Sequence, residues 1–463
     1  MRARAWVLPG LALCVLLSRL PFTGNGPGAD ADGDRLVVAA RSISRTAEYS
    51  VSRLPGYPVV EIGGAWLVHL GARDLNLAAA VLSAAAAALV ALLLRRAAGV
   101  SPLLGALAFA AAPIVFIHST TSMDYLWAVA AVLGAIAAAG QGRDVLAGVL
   151  AGLASGCRLT TIAALLPAAV ALSPRCPRSI ARFTATALVT AGLAWSPVLA
   201  RYGPGFLDWS DEIVVPWSRV LYKSTVLVWG WPGVIAWAIA ILLFAGSLRS
   251  AAGRRAAAER VKQPVVLAAL LWALLSAALF LRLPLEAGYL IPFVPAALIL
   301  GGVFLDRRVF AGLALAILVS PLLSVGDPSR NLRDGPIFQD RAARIRIEEH
   351  SRALLAWARD RGTPAMAVVG SKGLPRLKSR LADPDITLDP TRTPASNRSA
   401  LRVGQIVFLP RLDRAAFETA RAAGRDVVFL PEILQENLAE TGLDLAAEGA
   451  AAIPLTPQAA PAP

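Results

Sequence analysis

Residues 29–34 read ADADGD, and Asp30, Asp32 and Asp34 stand on alternate positions. They form two overlapping Asp-x-Asp units. A carboxylate in such a segment can take the proton of an attacking hydroxyl, or orient it. The same spacing can hold a hard divalent cation, Mg2+ or Mn2+, through oxygen ligands. Asp32 and Asp34 are therefore the candidate catalytic pair and also the candidate metal ligands. The competing reading is structural: a Gly/Asp-rich stretch is a solvated turn, and an acid caps the helix that follows. A cap needs one aspartate, whereas this segment carries three.

A second set of polar residues lies elsewhere in the chain, beside apolar runs. Arg53 and Tyr57 sit in SRLPGYP, Asp124 ends HSTTSMD, and Arg158 follows GLASGC. Lys223 closes the stretch 202–223, and Arg282, Glu286 and Tyr289 fall in RLPLEAGYLIP. Cations placed there can neutralise the charge of a departing phosphate. Each has a plainer role open to it. Asp124 can cap the next helix, Arg158 can snorkel to the interface, and Glu286 can pair with Arg282. His118 reads as a structural histidine at a helix end. Trp209, Trp217, Trp229 and Trp231 fit an interfacial aromatic belt, and the first two could also stack on a sugar.

The elements that must position these residues are membrane spans. The chain has 463 residues, of which 56% are hydrophobic and 16% charged, and its mean hydropathy is +0.59. Soluble proteins carry about 25% charged residues. Apolar runs predict about eleven spans of bilayer length, near 5–21, 77–94, 100–118, 125–140, 144–157, 159–173, 183–200, 225–247, 264–281, 287–305 and 309–326. The fold class is thus a polytopic α-helical membrane protein. Gly148, Gly152 and Gly156 form a small-residue ridge for close helix packing. The net charge of +14 comes largely from arginines in loops, not from a basic stripe with interleaved aromatics, so nucleic acid is not a partner. Arg95–Arg96, Arg143, the arginines of 175–182 and 249–260, and Arg307–Arg308 predict cytoplasmic loops and a cytoplasmic N-terminus. The N-terminal segment lacks a clean cleavage site and reads as an uncleaved first span. Cys14, Cys157 and Cys176 make neither a disulfide framework nor a metal motif.

On this reading residues 1–326 form the membrane domain, with a first outer loop at 22–76 that holds interfacial helices. Residues 327–463 form a soluble extracytoplasmic domain. Within it AMAVVG (365–370), QIVFLP (405–410) and DVVFLP (426–431) read as buried strands, alternating with helices near 338–361 and 412–424. That pattern predicts a small parallel α/β fold. No phosphate-binding glycine fingerprint follows any of these strands. The tail IPLTPQAAPAP reads as disordered, and 397–399 (NRS) fit a glycosylation triplet.

The order of these features resembles the GT-C superfamily over roughly residues 1–326. One span leads to an acidic loop start, then to Asp32 spaced before Ala40–Arg41, then to PGYP and a second span ending in Arg95–Arg96. GT-C enzymes are polytopic glycosyltransferases that use polyprenyl-phosphate sugars, and the closest branch is that of protein O-mannosyltransferases and lipid A aminoarabinose transferases. The resemblance implies transfer of a sugar, with inversion, from a polyprenyl-phosphate donor to a hydroxyl of a lipid, glycan or protein. It implies Asp32 as the essential carboxylate, Asp34 as its neighbour and Arg158 near the donor phosphate. HSTTSMD resembles a family loop pattern with methionine where proline is common, and LPLEAGYLIP a late outer loop. It implies a plasma-membrane enzyme with its site on the outer face. A transporter or flippase of a lipid-linked substrate is the rival; it predicts polar groups at the bilayer midplane and related halves. A non-catalytic scaffold would leave the aspartates unexplained.

Overall fold

The computed structural model describes residues 6–97, 100–172, 177–207, 215–325, 331–379, 386–389 and 400–455. Trp209, Cys176, the 397–399 triplet and the end of the tail lie outside the described residues. The chain divides into two compact units, Met1–Pro27 with Ala39–Ala342, and Gly28–Val38 with Ala343–Pro463. The division differs from a cut at 326. It falls inside two helices, and the acidic segment belongs to the second unit.

The first unit is helical. Its elements are α1 (Val7–Thr23), the later part of α2 (Ala31–Thr46), α3 (Pro58–His69), α4 (Asn76–Arg96), α5 (Pro102–Ala111), α6 (Pro113–His118), α7 (Tyr125–Gly140) and α8 (Asp144–Cys157). After these come α9 (Leu165–Leu172), α10 (Pro177–Tyr202), α11 (Trp217–Ser224), α12 (Val226–Ser247), α13 (Ala251–Val261), α14 (Pro264–Arg282), α15 (Phe293–Phe304) and α16 (Arg307–Val319). The start of α17 (Pro336–Asp360) completes the unit. Five helices among the described residues are long and apolar enough to cross a membrane, namely 76–96, 177–206, 226–247, 264–282 and 287–304. Five more of the predicted spans are shorter apolar helices, so the count of eleven is not confirmed among the described residues. Prolines explain part of the difference. The third predicted span breaks at Ala112, whose extended backbone precedes Pro113. Leu188, Val189 and Leu193 on α10 and Ile235, Ile239 and Leu242 on α12 lie exposed. Apolar residues in that position suit contact with lipid. The chain is a multi-pass membrane protein.

The glycine ridge does what its spacing predicts. A methyl on Gly148 would stand 2.6 Å from the Phe183 carbonyl oxygen, and one on Gly152 would stand 2.6 Å from Thr190 Cβ. Absence of Cβ lets α8 lie directly against α10. Gly230 (φ 68°) breaks α12 where a Cβ would meet Ser320. Trp217 and Trp231 are exposed as belt residues should be, whereas Trp229 is buried and packs edge-on to Trp237.

The second unit holds a six-stranded sheet. Its elements are β1 (Ala365–Val368), α18 (Gly370–Lys378), β2 (Ile386–Asp389), β3 (Ala400–Val403), β4 (Ile406–Leu409), α19 (Arg414–Ala422), β5 (Asp426–Phe429), α20 (Leu434–Thr441) and β6 (Ala451–Ala452). The order is β2-β3-β4-β1-β5-β6. The three predicted strands pair in parallel, Ala365 opposite Ile406 and Asp426. The sheet is mixed, however, because β3 runs antiparallel to β4 and β2 antiparallel to β3. Only Gly404 and Gln405 separate β3 from β4, and Gly404 has φ 55°. A two-residue loop joins antiparallel strands alone.

Candidate active site

The first unit gathers Asp124, Arg53 and Arg158 into one cluster. Asp124 stands at the N-terminus of α7 and Arg158 just past the C-terminus of α8. Antiparallel neighbours put those two ends together, and the helix dipoles favour an anion at the first and a cation at the second. The Asp124 side chain is fully buried and does not cap its own helix. One carboxylate oxygen accepts from Arg158 at 2.5 Å and the other from Arg53 at 2.9 Å. Burial alone would raise the Asp124 pKa. Arg158, and then Arg53, outweigh it and hold the group below the usual carboxylate range.

Tyrosines enclose the arginines. The Arg158 guanidinium lies 4.5 Å from the ring centroids of both Tyr125 and Tyr289, and Arg53 lies 4.2 Å from that of Tyr57. Such cation–π contacts strengthen when water is excluded, and Arg158 is 7% exposed. Arg158 is therefore not a snorkelling residue. Tyr125 is braced on one side by His118, with centroids 4.7 Å apart, and on another by Gly288, where a Cβ would meet the ring. His118 thus packs as a structural residue, but it is not the satisfied histidine expected, since its buried Nδ1 has no hydrogen-bond partner among the described residues.

Arg53 and Tyr57 reach the cluster from the segment before α3. Glu61, fully buried in α3, fixes that segment. Its carboxylate accepts from Ser52 N (2.6 Å), Ser52 Oγ (2.7 Å), Tyr49 Oη (2.5 Å) and Tyr57 N (3.1 Å). Burial nevertheless pushes the Glu61 pKa up against those hydrogen bonds. Sequence reasoning passed over Glu61, Tyr49 and Ser52. The signal was an acid inside the apolar run PVVEIGGAWLV, where a buried charge must find partners.

Not every expected residue joins the cluster. Lys223 donates to the carbonyl oxygens of Leu285 and, at 3.5 Å, Pro284. It ties α11 to the loop before Tyr289 instead of meeting Asp124. Arg282 ends α14 and Glu286 precedes the turn at 287–290, both exposed.

The second unit gives its three aspartates three separate tasks. Asp30 accepts from Asp32 N at 3.1 Å and caps α2. Asp32 pairs with Arg35 at 2.7 Å and keeps part of its side chain exposed. Asp34 is 2% exposed and accepts from Ser379 Oγ at 2.8 Å. This arrangement does not fit a divalent cation shared by Asp32 and Asp34. The two carboxylates are taken up by different partners, and among the described residues no group of three His, Cys, Asp or Glu could hold a metal ion.

Two solved structures share the architecture. ArnT from Cupriavidus metallidurans in the apo state aligns at TM-score 0.55 and 17% identity, covering 95% of this chain and 95% of that one. ArnT from the same organism bound to undecaprenyl phosphate aligns at TM-score 0.50 and 18% identity, covering 82% and 85%. No family model and no curated protein matches the sequence. The chain has the GT-C fold in its ArnT-like form.

Proposed function

We propose, for a chain with the fold of ArnT, that it transfers a sugar from a polyprenyl-phosphate donor to a hydroxyl acceptor at the outer face of the bacterial plasma membrane. The observation that carries the reading is the Asp124–Arg158–Arg53 cluster with its tyrosine walls. It brings two guanidinium groups to one place beside apolar helices, where the phosphate of a lipid-borne donor can meet them. The undecaprenyl phosphate bound by ArnT supports a lipid phosphate of this type as the partner. The flippase alternative predicts polar groups in mid-membrane, whereas this cluster is built from helix ends. The basic short loops support a cytoplasmic N-terminus and an extracytoplasmic second unit.

In the proposed reaction the acceptor oxygen attacks the anomeric carbon of the sugar. The bond from that carbon to the phosphate oxygen breaks, and the phosphate leaves with the electron pair. The acceptor proton passes to a carboxylate, which we assign to Asp32 on the family register. A single displacement inverts the anomeric centre. Arg158 and Arg53 offset the charge that grows on the phosphate. We route no step through a metal.

The test is transfer in liposomes from a panel of radiolabelled polyprenyl-phosphate sugars, with native membranes as acceptor. We expect wild type to transfer label, in chelator as well as without it. Asp32→Asn should lose transfer by about a hundredfold or more, as removal of a general base does. Arg158→Ala should lose both transfer and binding of undecaprenyl phosphate. Full transfer by Arg158→Ala would take the phosphate role from the cluster. Transfer by Asp32→Asn at the wild-type rate would take the base role from Asp32. Lipid flipping without transfer would favour the rival.

A further inference from the structure

The candidate base lies far from the C-terminal half in sequence, yet it folds with it. Gly28–Val38 belongs to the same compact unit as Ala343–Pro463. Three of its hydrogen bonds join it to α18 and the residue that ends it. Ser379 Oγ donates to the buried Asp34 at 2.8 Å. Arg376 donates to the Ala29 carbonyl at 2.9 Å, just before the helix starts. Arg35 donates to the Ser371 carbonyl at 3.3 Å with one nitrogen and to Asp32 at 2.7 Å with another. Ser371 is itself set by its N–H donating to Glu436 at 3.1 Å.

We infer that α18 and Ser379 present the candidate base, with Ser379, Arg376 and Arg35 acting as positioning residues for Asp32. The inference rests on the reading of Asp32 as the base. Three contacts, made by the start, middle and end of the 371–379 stretch, hold Ala29, Asp34 and Arg35 and so fix the rotation of the acidic segment as well as its place. Ser379 sets the first turn of α2 through a carboxylate that has no solvent to fall back on. Arg376 sets the entry of the chain. Arg35 then holds the Asp32 carboxylate in one rotamer. A base held loosely is misaligned for most of its time, and that loss appears in turnover, not in donor binding.

The experiment measures kcat and donor KM for the full-length protein in liposomes, with Ser379→Ala, Ser379→Thr, Arg376→Ala and Asp32→Asn beside wild type. We expect Ser379→Ala and Arg376→Ala each to lower kcat about tenfold or more with donor KM unchanged. Ser379→Thr keeps the hydroxyl and should recover most of the rate. An unfolding midpoint for each variant separates lost positioning from lost fold. Three results would overturn the inference: wild-type kcat in Ser379→Ala while Asp32→Asn is inactive, a rise in KM at constant kcat, or no recovery by threonine in a stably folded protein. Wild-type transfer by Asp32→Asn would instead remove the base assignment, and this inference with it.

Discussion

Glu61 shows how a carboxylate can serve a site without belonging to its chemistry. Four donors from residues 49–57 converge on it, and two residues of that segment, Arg53 and Tyr57, belong to the cluster around Asp124. Burial raises its pKa above the ordinary glutamate value of about 4.3 despite these donors. A raised value means that the folded protein holds this proton more tightly than the unfolded chain. The stability so gained is fully present below the unfolded value and declines as pH rises through the folded one. Glu61→Gln cannot titrate. The unfolding temperature of wild type relative to Glu61→Gln should therefore fall as pH rises above about 4.3. A gap that stays constant or widens with pH would mean that the hydrogen bonds prevail over burial. Arg158 makes the complementary case. A lysine there would carry the charge but could not present a planar face to Tyr125 and Tyr289.

At the scale of elements, the crossing of α8 and α10 is a close one, made through glycines. Gly152→Val would place carbon where Thr190 Cβ (2.6 Å) and the Ala187 carbonyl (2.7 Å) already stand. Overpacking of this kind destabilises by about 1–3 kcal/mol. Gly192, also on α10, has nothing within 4 Å of its would-be Cβ. Gly192→Ala should therefore leave stability unchanged or raise it by up to about 1 kcal/mol. Thermal unfolding in detergent should fall for Gly152→Val and hold or rise for Gly192→Ala; equal shifts would deny the close crossing. That α8 packs closely through this face was legible in the sequence, because a four-residue glycine spacing fixes one helix face; that its partner is α10 was not. The break before Pro113 was legible as a proline, but not that it ends a helix, since spans tolerate proline when neighbours satisfy the backbone. Strands β2 (ITLD) and β3 (ALRV) are no shorter than the three that were legible, but polar residues interrupt them, so they lack the continuous apolar run that marks β1, β4 and β5. Arg158 and Asp124 were each legible as polar residues beside spans. That Arg53 joins them across 71 positions depends on a tertiary approach that local pattern does not encode. Glu61 was visible as an anomaly, but its four donors were not.

At the scale of the whole molecule, α2 poses the sharpest question, because a single helix belongs to both units. Gly28–Val38 folds with the C-terminal half and Ala39 onward with the helical half. Leu36 and Val37 are as fully buried as Ala40, so nothing in local exposure marks the boundary. If the units are real cooperative blocks, weakening one should loosen only its own part of the helix. Phe408 is the residue to change. It is fully buried in β4, opposite Ala367 of β1, and remote in sequence from α2. Phe408→Ala should destabilise the second unit by about 3–5 kcal/mol. Amide exchange measured in the full-length protein should then quicken together in β1, β4 and residues 35–38, by roughly a hundredfold or more. Residues 40–46, on the same helix, should exchange as in wild type. If all of α2 keeps its protection, the acidic segment does not depend on the C-terminal unit, and its presentation must come from the helical half. If all of α2 loses protection together, the two units unfold as one and the boundary at Val38 has no energetic meaning. Only a split within one continuous helix fits a candidate base that the C-terminal half of the chain holds in place.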